Sequence, residues 1–531
     1  MERKLYYHGN ILTMERQLYA QAVLTEDGTI AAVGELEAVK AAAKEVQMVD
    51  LEGRTLMPAF IDAHSHFSAC ANAMLQCSIE NAKSFDDMIQ EISTYIQKNH
   101  IEKGHWVFVR DYDQSVLLER GRPDRYVLDT ASNLHPIVLQ HKSGHVGVLN
   151  SMALDILGID KDTPSPEGGR IEQRNGIPTG YMEENAFIQI LHRLPGPNQQ
   201  DLMNTFESVQ KMYASNGITT AQEGMMVREM IPLYNFLCKE QRLWLDIVGY
   251  PSMDAGEEIY RAFEPCDRHY RNHFKLGGYK IFLDGSPQSR TAWMRTPYVG
   301  GDDCGYPVQS LDYVADCVYY AASRGRQILA HCNGDAAAEQ YLDAIALANR
   351  RLEREGKASC AAVRPVMVHA QLLGLDQLPQ LRGLGVIPSF FVAHVYHWGD
   401  THIENFGFLR ASTISPASSA GKEGLAYTFH QDSPVIRPDM LETVWCAVNR
   451  KTRNGAVLGE GERISVLDAL KAVTIHSARQ YFEENKKGSI APGKKADFVI
   501  LDKNPLEVVP EQIRELHILE TIKDGKTVFS K

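Results

Sequence analysis

The sequence predicts an α/β fold: a closed (β/α)8 barrel of the TIM type, a small β-sandwich domain built from both chain ends, and an α/β insertion after the first barrel strand. Three observations carry this. Eight strand-like apolar runs through the middle of the chain alternate mostly with amphipathic helical stretches, which implies parallel pairing with right-handed crossovers. Both ends are rich in short alternating segments, each too small to bury a core separately. The gap between the first and second runs is too long for one loop. An open doubly wound sheet is the alternative.

The first 57 residues give "KLYYHGNILTM", "QAVLTEDGTIAAVG" and "EVQMVDLEGRTLMP", with turns at Asn10, Asp27-Gly28 and Glu52-Gly53. The tail, residues 482–531, gives "KGSIAPGKKADFVILD" and "ILETIKDGKTVFSK", with a turn at Asp524-Gly525. These ends are expected to pair, leaving residues 58–481 as the barrel. Its strand candidates are "PAFIDAHSH", "GITTAQEG", "LWLDIVGYP", "LGGYKIFLDG", "RQILAHCNGD", "RPVMVHAQ", "GVIPSFF" and "LAYTFHQD". "LMNTFESVQKMYASNG", "SLDYVADCVYYAASRG" and "AAAEQYLDAIALANRRLEREG" are helices between them. Residues 83–200, with "HWVFVRDYD" and "HPIVLQHKSGHVGVLNSMAL", form the inserted subdomain.

At 531 residues, 44% hydrophobic and 23% charged, the chain suits an ordinary soluble globular protein with a large core. A formal net charge of −12 argues against nucleic acid or an anionic membrane as partner, because phosphate binding needs a basic field. The start "MERKLYYHGNILTME" lacks the apolar core of a signal peptide, and no window reaches the ~18 apolar residues of a membrane span. Nine scattered cysteines without C-x-x-C fit reduced thiols in a cytoplasmic protein. The expected partner is a small-molecule substrate. A large barrel with a side domain often dimerises, which leaves a homodimer open.

The chemistry lies where the strands end. On a strand, residues i and i+2 share a face, so His64 and His66 of "PAFIDAHSHF" would converge on one point. The fourth strand carries Lys280, the fifth ends at His331, the sixth at His369 and the eighth at Asp432. Active sites of such barrels form at the carboxyl ends of the strands, so these side chains would meet in one ring. Any one of these histidines alone is as easily structural; their joint occurrence on several strands points to metal. Lys280, flanked by Tyr279 and Ile281-Phe282-Leu283, is costly to bury and cannot ligate a metal while protonated. It is either paired with an acid such as Asp284 or carboxylated by CO2 to a carbamate able to bridge two cations. Asp432 either caps the following helix or ligates a metal and moves a proton; its place at the last strand's end favours the second. His430 has the same parity as Asp432 and is a further lining candidate.

These residues resemble the amidohydrolase superfamily. "PAFIDAHSHF", Lys280 in "YKIFLDGSPQSRTA", "AHCNGDAA", "MVHAQ" and "HQDSPV" carry the likeness, together with the return "AVTIHSARQYFEENKKGSIAPGKKADFVILDKNP". "GHVGVLNSMAL", "GGRIEQRNGIPTGYMEENA" and "SFFVAHVYHWGD" narrow it to the branch holding N-substituted formamide deformylases. The resemblance implies that His64, His66 and Asp432 hold one metal, His331 and His369 a second, and carboxylated Lys280 bridges both. Two zinc ions are the natural choice for this nitrogen and oxygen donor set. A metal-bound hydroxide would then attack the carbonyl of a small amide or N-substituted formamide, with Asp432 as general base and then acid. His394, in "FFVAHVYHWGDTH", is the candidate to stabilise the oxyanion. His145, in the insertion, either folds over the mouth or is an ordinary surface or core histidine. Arg295 is expected at the barrel rim, and Arg290 is left open between rim and substrate. A deaminase or a cyclic-amide or lactone hydrolase on the same scaffold is the near alternative; a non-catalytic metal-binding regulatory protein is the distant one.

Overall fold

The computed structural model describes residues 2–43, 45–114, 116–142, 144, 146–166, 169–191, 193–196 and 199–531. The chain divides into two compact units, one of Met1–Ala69 with Glu207–Lys531, the other Cys70–Phe206. The architecture is α/β.

In the first unit, Phe60–Ile61, Ile218–Met226, Asp246–Pro251 and Phe274–Leu276 form one parallel sheet with chain neighbours side by side. Gly278–Phe282, Gln327–Cys332, Val366–His369, Ile387–Phe390 and Thr428–Phe429 form a second in the same manner. The strands Phe274–Leu276 and Gly278–Phe282 are one run broken at Gly277, where a Cβ would stand 2.5 Å from the Tyr250 ring. A parallel bridge from Ser252 to Lys280 joins the two sheets. Helices Ile231–Lys239, Leu311–Ser323, Asp335–Arg354 and Leu378–Leu384 connect successive strands. Leu311–Ser323 shows why. Ser310 accepts from the Tyr313 N–H at its start, and Val314, Val318 and Ala321 line one buried stripe. Ile61, Val248, Tyr250, Leu329, Val366, Val368 and Ile387 gather in one core cluster with Ala478 and Tyr481. Where one strand gives two of them, Val248 with Tyr250 and Val366 with Val368, the spacing is two, as one sheet face requires.

Strands from both chain ends share one eight-stranded sheet. Thr55–Pro58 lies between Arg3–Leu12, to which it is parallel, and Phe498–Leu501, to which it is antiparallel. The turns at Asp27-Gly28 and Asp524-Gly525 have both residues at positive φ, the conformation that tight hairpins need. A buried ionic cluster lies at the amino end of the Asp246–Pro251 strand. Asp246 meets Lys487 at 2.5 Å, Lys523 at 3.1 Å and His273 at 2.8 Å; Glu483 meets Lys487 at 2.9 Å and also Lys275.

The second unit is built on a six-stranded sheet. One face buries Val107, Val109, Ile137 and Leu139 under Met88, Ile92 and Leu128; the other buries Val138, Leu149 and Met182 with Phe187. Among the described residues no helix is long and apolar enough to cross a membrane.

Candidate metal centre

The strand that leads to His64 and His66 is shorter than its apolar run suggests. It ends at Ile61; Asp62 N–H still donates to the Thr220 carbonyl of the paired strand (2.9 Å), but beyond it the backbone takes other partners, His64 N–H donating to Asp62 Oδ1 (3.3 Å) and His66 N–H to the Ser433 carbonyl (2.8 Å). The two imidazoles therefore converge through a tight bend rather than through strand alternation. Their Nε2 atoms reach Asp432 Oδ1 at 3.4 Å from His64 and 3.3 Å from His66. Neither approach has hydrogen-bond alignment, so the buried Oδ1 is left without a hydrogen-bond partner among the described residues. One donor atom from each of the three residues lies within 4.8 Å of the others. Three convergent donors around an unsatisfied carboxylate oxygen are what a cation site presents, so these residues fit a divalent metal.

Asp432 does not cap a helix. Its φ is +54°, its N–H donates to the His64 carbonyl (3.1 Å), and the next helix, Met440–Asn449, is capped by Asp439. Burial acts to raise its carboxyl pKa, but His66, His430 and Lys280 outweigh that and hold it below the ordinary value. It is ionised at neutral pH.

The ligating atom of His64 is fixed by its neighbour. Gln222 Nε2 donates to the Ala63 carbonyl (2.8 Å) and to the Tyr481 hydroxyl (3.0 Å), which itself donates to the Asp62 carbonyl (2.7 Å). The Gln222 amide can therefore only accept, through Oε1, from His64 Nδ1–H at 2.5 Å. That leaves the lone pair of His64 on Nε2, which faces Asp432 and accepts from Lys280 Nζ at 3.1 Å. Burial drives His64 well below the usual imidazole range, so the ring is neutral.

Lys280 is buried, and desolvation pulls its amine down to about 7. Asp284 is committed elsewhere: its oxygens accept from the N–H groups of Trp293 (3.0 Å), Asn333 (2.9 Å) and Gly334 (2.8 Å). His369 Nε2 stands 4.0 Å from Asp432 Oδ2, while its Nδ1 meets His430 Nε2 at 3.0 Å, and His430 Nδ1 meets the Ser389 hydroxyl at 2.9 Å. The His331 and His369 rings are 4.6 Å apart, and His331 Nδ1 lies 3.4 Å from Asp284 Oδ1. Burial lowers His369 well below its usual range and takes His430 down to about 3.

The other predicted residues lie further out. His394 is buried between Phe391 and Trp398, at ring separations of 4.5 and 4.4 Å. His145 lies outside the described residues. Arg295 pairs with Glu339 (3.0 Å) and Asp376 (2.9 Å), and Arg290 donates to Asn405 (2.9 Å). Sequence reasoning missed Gln222 and Glu223. Glu223 accepts from Ser68 N–H (2.8 Å) and the Tyr234 hydroxyl (2.6 Å), and burial raises its pKa. The only sequence signal for this pair was their place near the end of the second strand candidate.

A parallel α/β scaffold with imidazoles and a carboxylate gathered at its strand ends has the form of a hydrolase. The chain belongs to the amidohydrolase family, whose model matches residues 47–529. It is 28% identical to an N-substituted formamide deformylase from Arthrobacter pascens, over 99% of this chain and 98% of that protein. It is also similar in structure to two uncharacterised metal-dependent hydrolases. One, from Pyrococcus horikoshii, has a TM-score of 0.79 at 24% identity and covers 96% of this chain and 99% of its own. The other, from Pyrococcus furiosus, has a TM-score of 0.75 at 23% identity, covering 95% and 100%.

Proposed function

We propose that the protein is a metal-dependent hydrolase of a small amide or N-substituted formamide, working at the carboxyl end of a closed (β/α)8 barrel. Closure is supported by the Ser252–Lys280 bridge on one side. On the other, Asp432 N–H and His66 N–H donate to the carbonyls of His64 and Ser433. The observation that carries the functional reading is the buried, unpartnered Asp432 Oδ1 facing the Nε2 atoms of His64 and His66. These three would hold one divalent ion, His331 and His369 a second, with zinc the best match to such donors.

When bound, the ions would supply Lewis acidity and a water acidic enough to ionise near neutral pH. The chain's own residues account for the rest. Burial brings the Lys280 amine down to about 7, so a substantial neutral fraction exists near neutrality, and only a neutral amine adds CO2. The nitrogen forms a bond to carbon and loses a proton to solvent, leaving an anionic carbamate with two donor oxygens. Gln222 keeps the proton of His64 on Nδ1 and so leaves Nε2 for the metal. Asp432, ionised, accepts the proton of the attacking water and returns it to the leaving nitrogen as the carbon–nitrogen bond breaks.

The test is metal analysis followed by a screen of formamides, acyl amides, ureas, lactones and cyclic amides. Two ions per chain with hydrolysis of an open-chain amide is the expected result. One ion with release of ammonia from a purine or pyrimidine would instead make it a deaminase. Asp432→Asn should lose at least about a hundredfold in kcat, the lower range for a positioned proton-transfer group, while the folded protein still binds metal. Full activity in that variant would remove Asp432 from the proton path.

A further inference from the structure

We infer that His402 is a positioning residue that fixes the tautomer of His394, so that His394 presents an Nε2–H as a hydrogen-bond donor to the substrate carbonyl oxygen. The inference rests on the amide-hydrolysis reading above and extends it to residues outside the metal ring. His394 Nδ1 and His402 Nε2 are 3.1 Å apart, and the two rings are nearly parallel, with an interplanar angle of 7° and centroids 5.4 Å apart, so they meet edge to edge. One proton lies between these nitrogens, and the question is which ring owns it.

The far side of His402 answers. Its Nδ1 is buried and meets no partner among the described residues. A buried N–H without an acceptor forfeits the full desolvation cost of a strong donor, and orphaned donors are rarer in proteins than under-used acceptors. The proton of a neutral His402 therefore sits on Nε2 and is donated to His394 Nδ1. His402 is neutral: complete burial takes its pKa to about 3. His394 must then carry its own proton on Nε2. Burial, with His402 beside it, holds that ring well below the imidazole range, so it too is neutral. A neutral imidazole donor can polarise a carbonyl without a full positive charge in an apolar site.

Position agrees with this role. His402 is fully buried and His394 is 5% exposed, so His394 is the member of the pair that reaches a surface. Its Nε2 makes no hydrogen bond among the described residues. Phe391 packs on His394 at 4.5 Å and on His369 and His430 at 6.2 and 5.4 Å, which sets the dyad one ring away from the metal-site imidazoles. Trp398 closes the other side of His394. The ring can neither rotate freely nor choose its tautomer.

Two measurements test this. Neutron diffraction from deuterium-exchanged crystals of the metal-free protein should show deuterium on Nε2 of both rings and none on His402 Nδ1. In kinetics with an N-substituted formamide or other amide found to be hydrolysed, His394→Ala should lower kcat at least about a hundredfold, as for loss of one oxyanion donor, and His402→Phe at least about tenfold, as for loss of a supporting partner, with KM nearly unchanged in both. His402→Gln, whose amide N–H can reach the same acceptor, should restore most of the loss. Deuterium on His402 Nδ1, or unchanged kcat in a folded His402→Phe protein, overturns the inference. If no amide is hydrolysed, the functional reading falls, and the neutron map still decides the tautomer by itself.

Discussion

Replacing Gln222 with Leu isolates one hydrogen bond on which metal binding depends. Oε1 of Gln222 is the acceptor for His64 Nδ1–H at 2.5 Å, in a fully buried setting. The other bonds broken are cheap, because their partners keep a second contact. The Ala63 carbonyl still accepts from Gln480 Nε2 (2.8 Å), and the Tyr481 hydroxyl still donates to the Asp62 carbonyl (2.7 Å). The cost therefore concentrates on His64. If its proton stays on Nδ1, a buried donor is orphaned at about 1–3 kcal/mol. If the proton moves to Nε2, the ligand lone pair is lost. Either route taxes metal binding by about 10–100-fold, the usual loss when a ligand histidine loses its supporting partner. Gln222→Glu separates the two effects, since a carboxylate still accepts from Nδ1–H. Competition for Zn(II) against a chromophoric chelator at constant pH reads the dissociation constant directly. The expected order is wild type and Glu variant tight, Leu variant weak. A folded Leu variant with wild-type affinity would refute the claim that Gln222 sets the ligating nitrogen.

Other perturbations act on neighbouring features. Gly224→Ala would put a Cβ 2.6 Å from His64 Cε1 and 2.8 Å from the Ser65 carbonyl oxygen; backbone oxygen cannot yield, so about 1–3 kcal/mol of overpacking strain and weaker zinc binding are expected, read by thermal unfolding and the same chelator titration. Lys487→Met removes one cation from the buried cluster and leaves Asp246 with Lys523 and His273, and Glu483 with Lys275. Breaking a buried pair costs about 3–5 kcal/mol, so the melting temperature should fall by several degrees or more; an unchanged value would mean that the cluster contributes no net stability. The same cluster sets an acid limit. Burial acts to raise Glu483, but Lys275 and Lys487 outweigh it and take it down to about 2, and Lys487 and Lys523 likewise hold Asp246 far below its ordinary value. Both folded-state values lie under the unfolded ones, so this stability is fully present above about pH 5 and is lost as pH falls toward 2. Urea midpoints measured from pH 6 to pH 3 should decline, and a flat series would contradict the assignment.

Most of the scaffold was legible because its signals are local. The runs around Lys280, His331 and His369 declare strands through consecutive apolar residues, and Asp27-Gly28 and Asp524-Gly525 declare hairpin turns through positive-φ residue types. The site was legible only where ionisable residues mark it. Gln222 is an uncharged amide 158 residues away from the imidazole it orients, and nothing in a single sequence ties the two together. His402 was hidden for a different reason. It follows three more suggestive aromatic residues, His394, His397 and Trp398, and its importance comes from one nitrogen's lack of a partner, which is a property of packing. The bend after Ile61 escaped because an apolar run cannot say where its backbone leaves the ladder. Asp432 and Asp439 both precede a helix start by residue type, and only the left-handed backbone at Asp432 shows which of them caps it.

The pairing of early and late strands sets a timetable for the living cell. His64 and His66 leave the ribosome about 400 residues before several of the groups that hold their segment. Ala59 and Ile61 N–H donate to the carbonyls of Asp497 and Val473, and the Ala63 and Asp62 carbonyls accept from Gln480 and Tyr481. Until residues 473–497 have been translated, those four hydrogen bonds cannot form. A nascent chain stalled after His369 would carry most of the candidate ligands without the late groups that fix the first two in place.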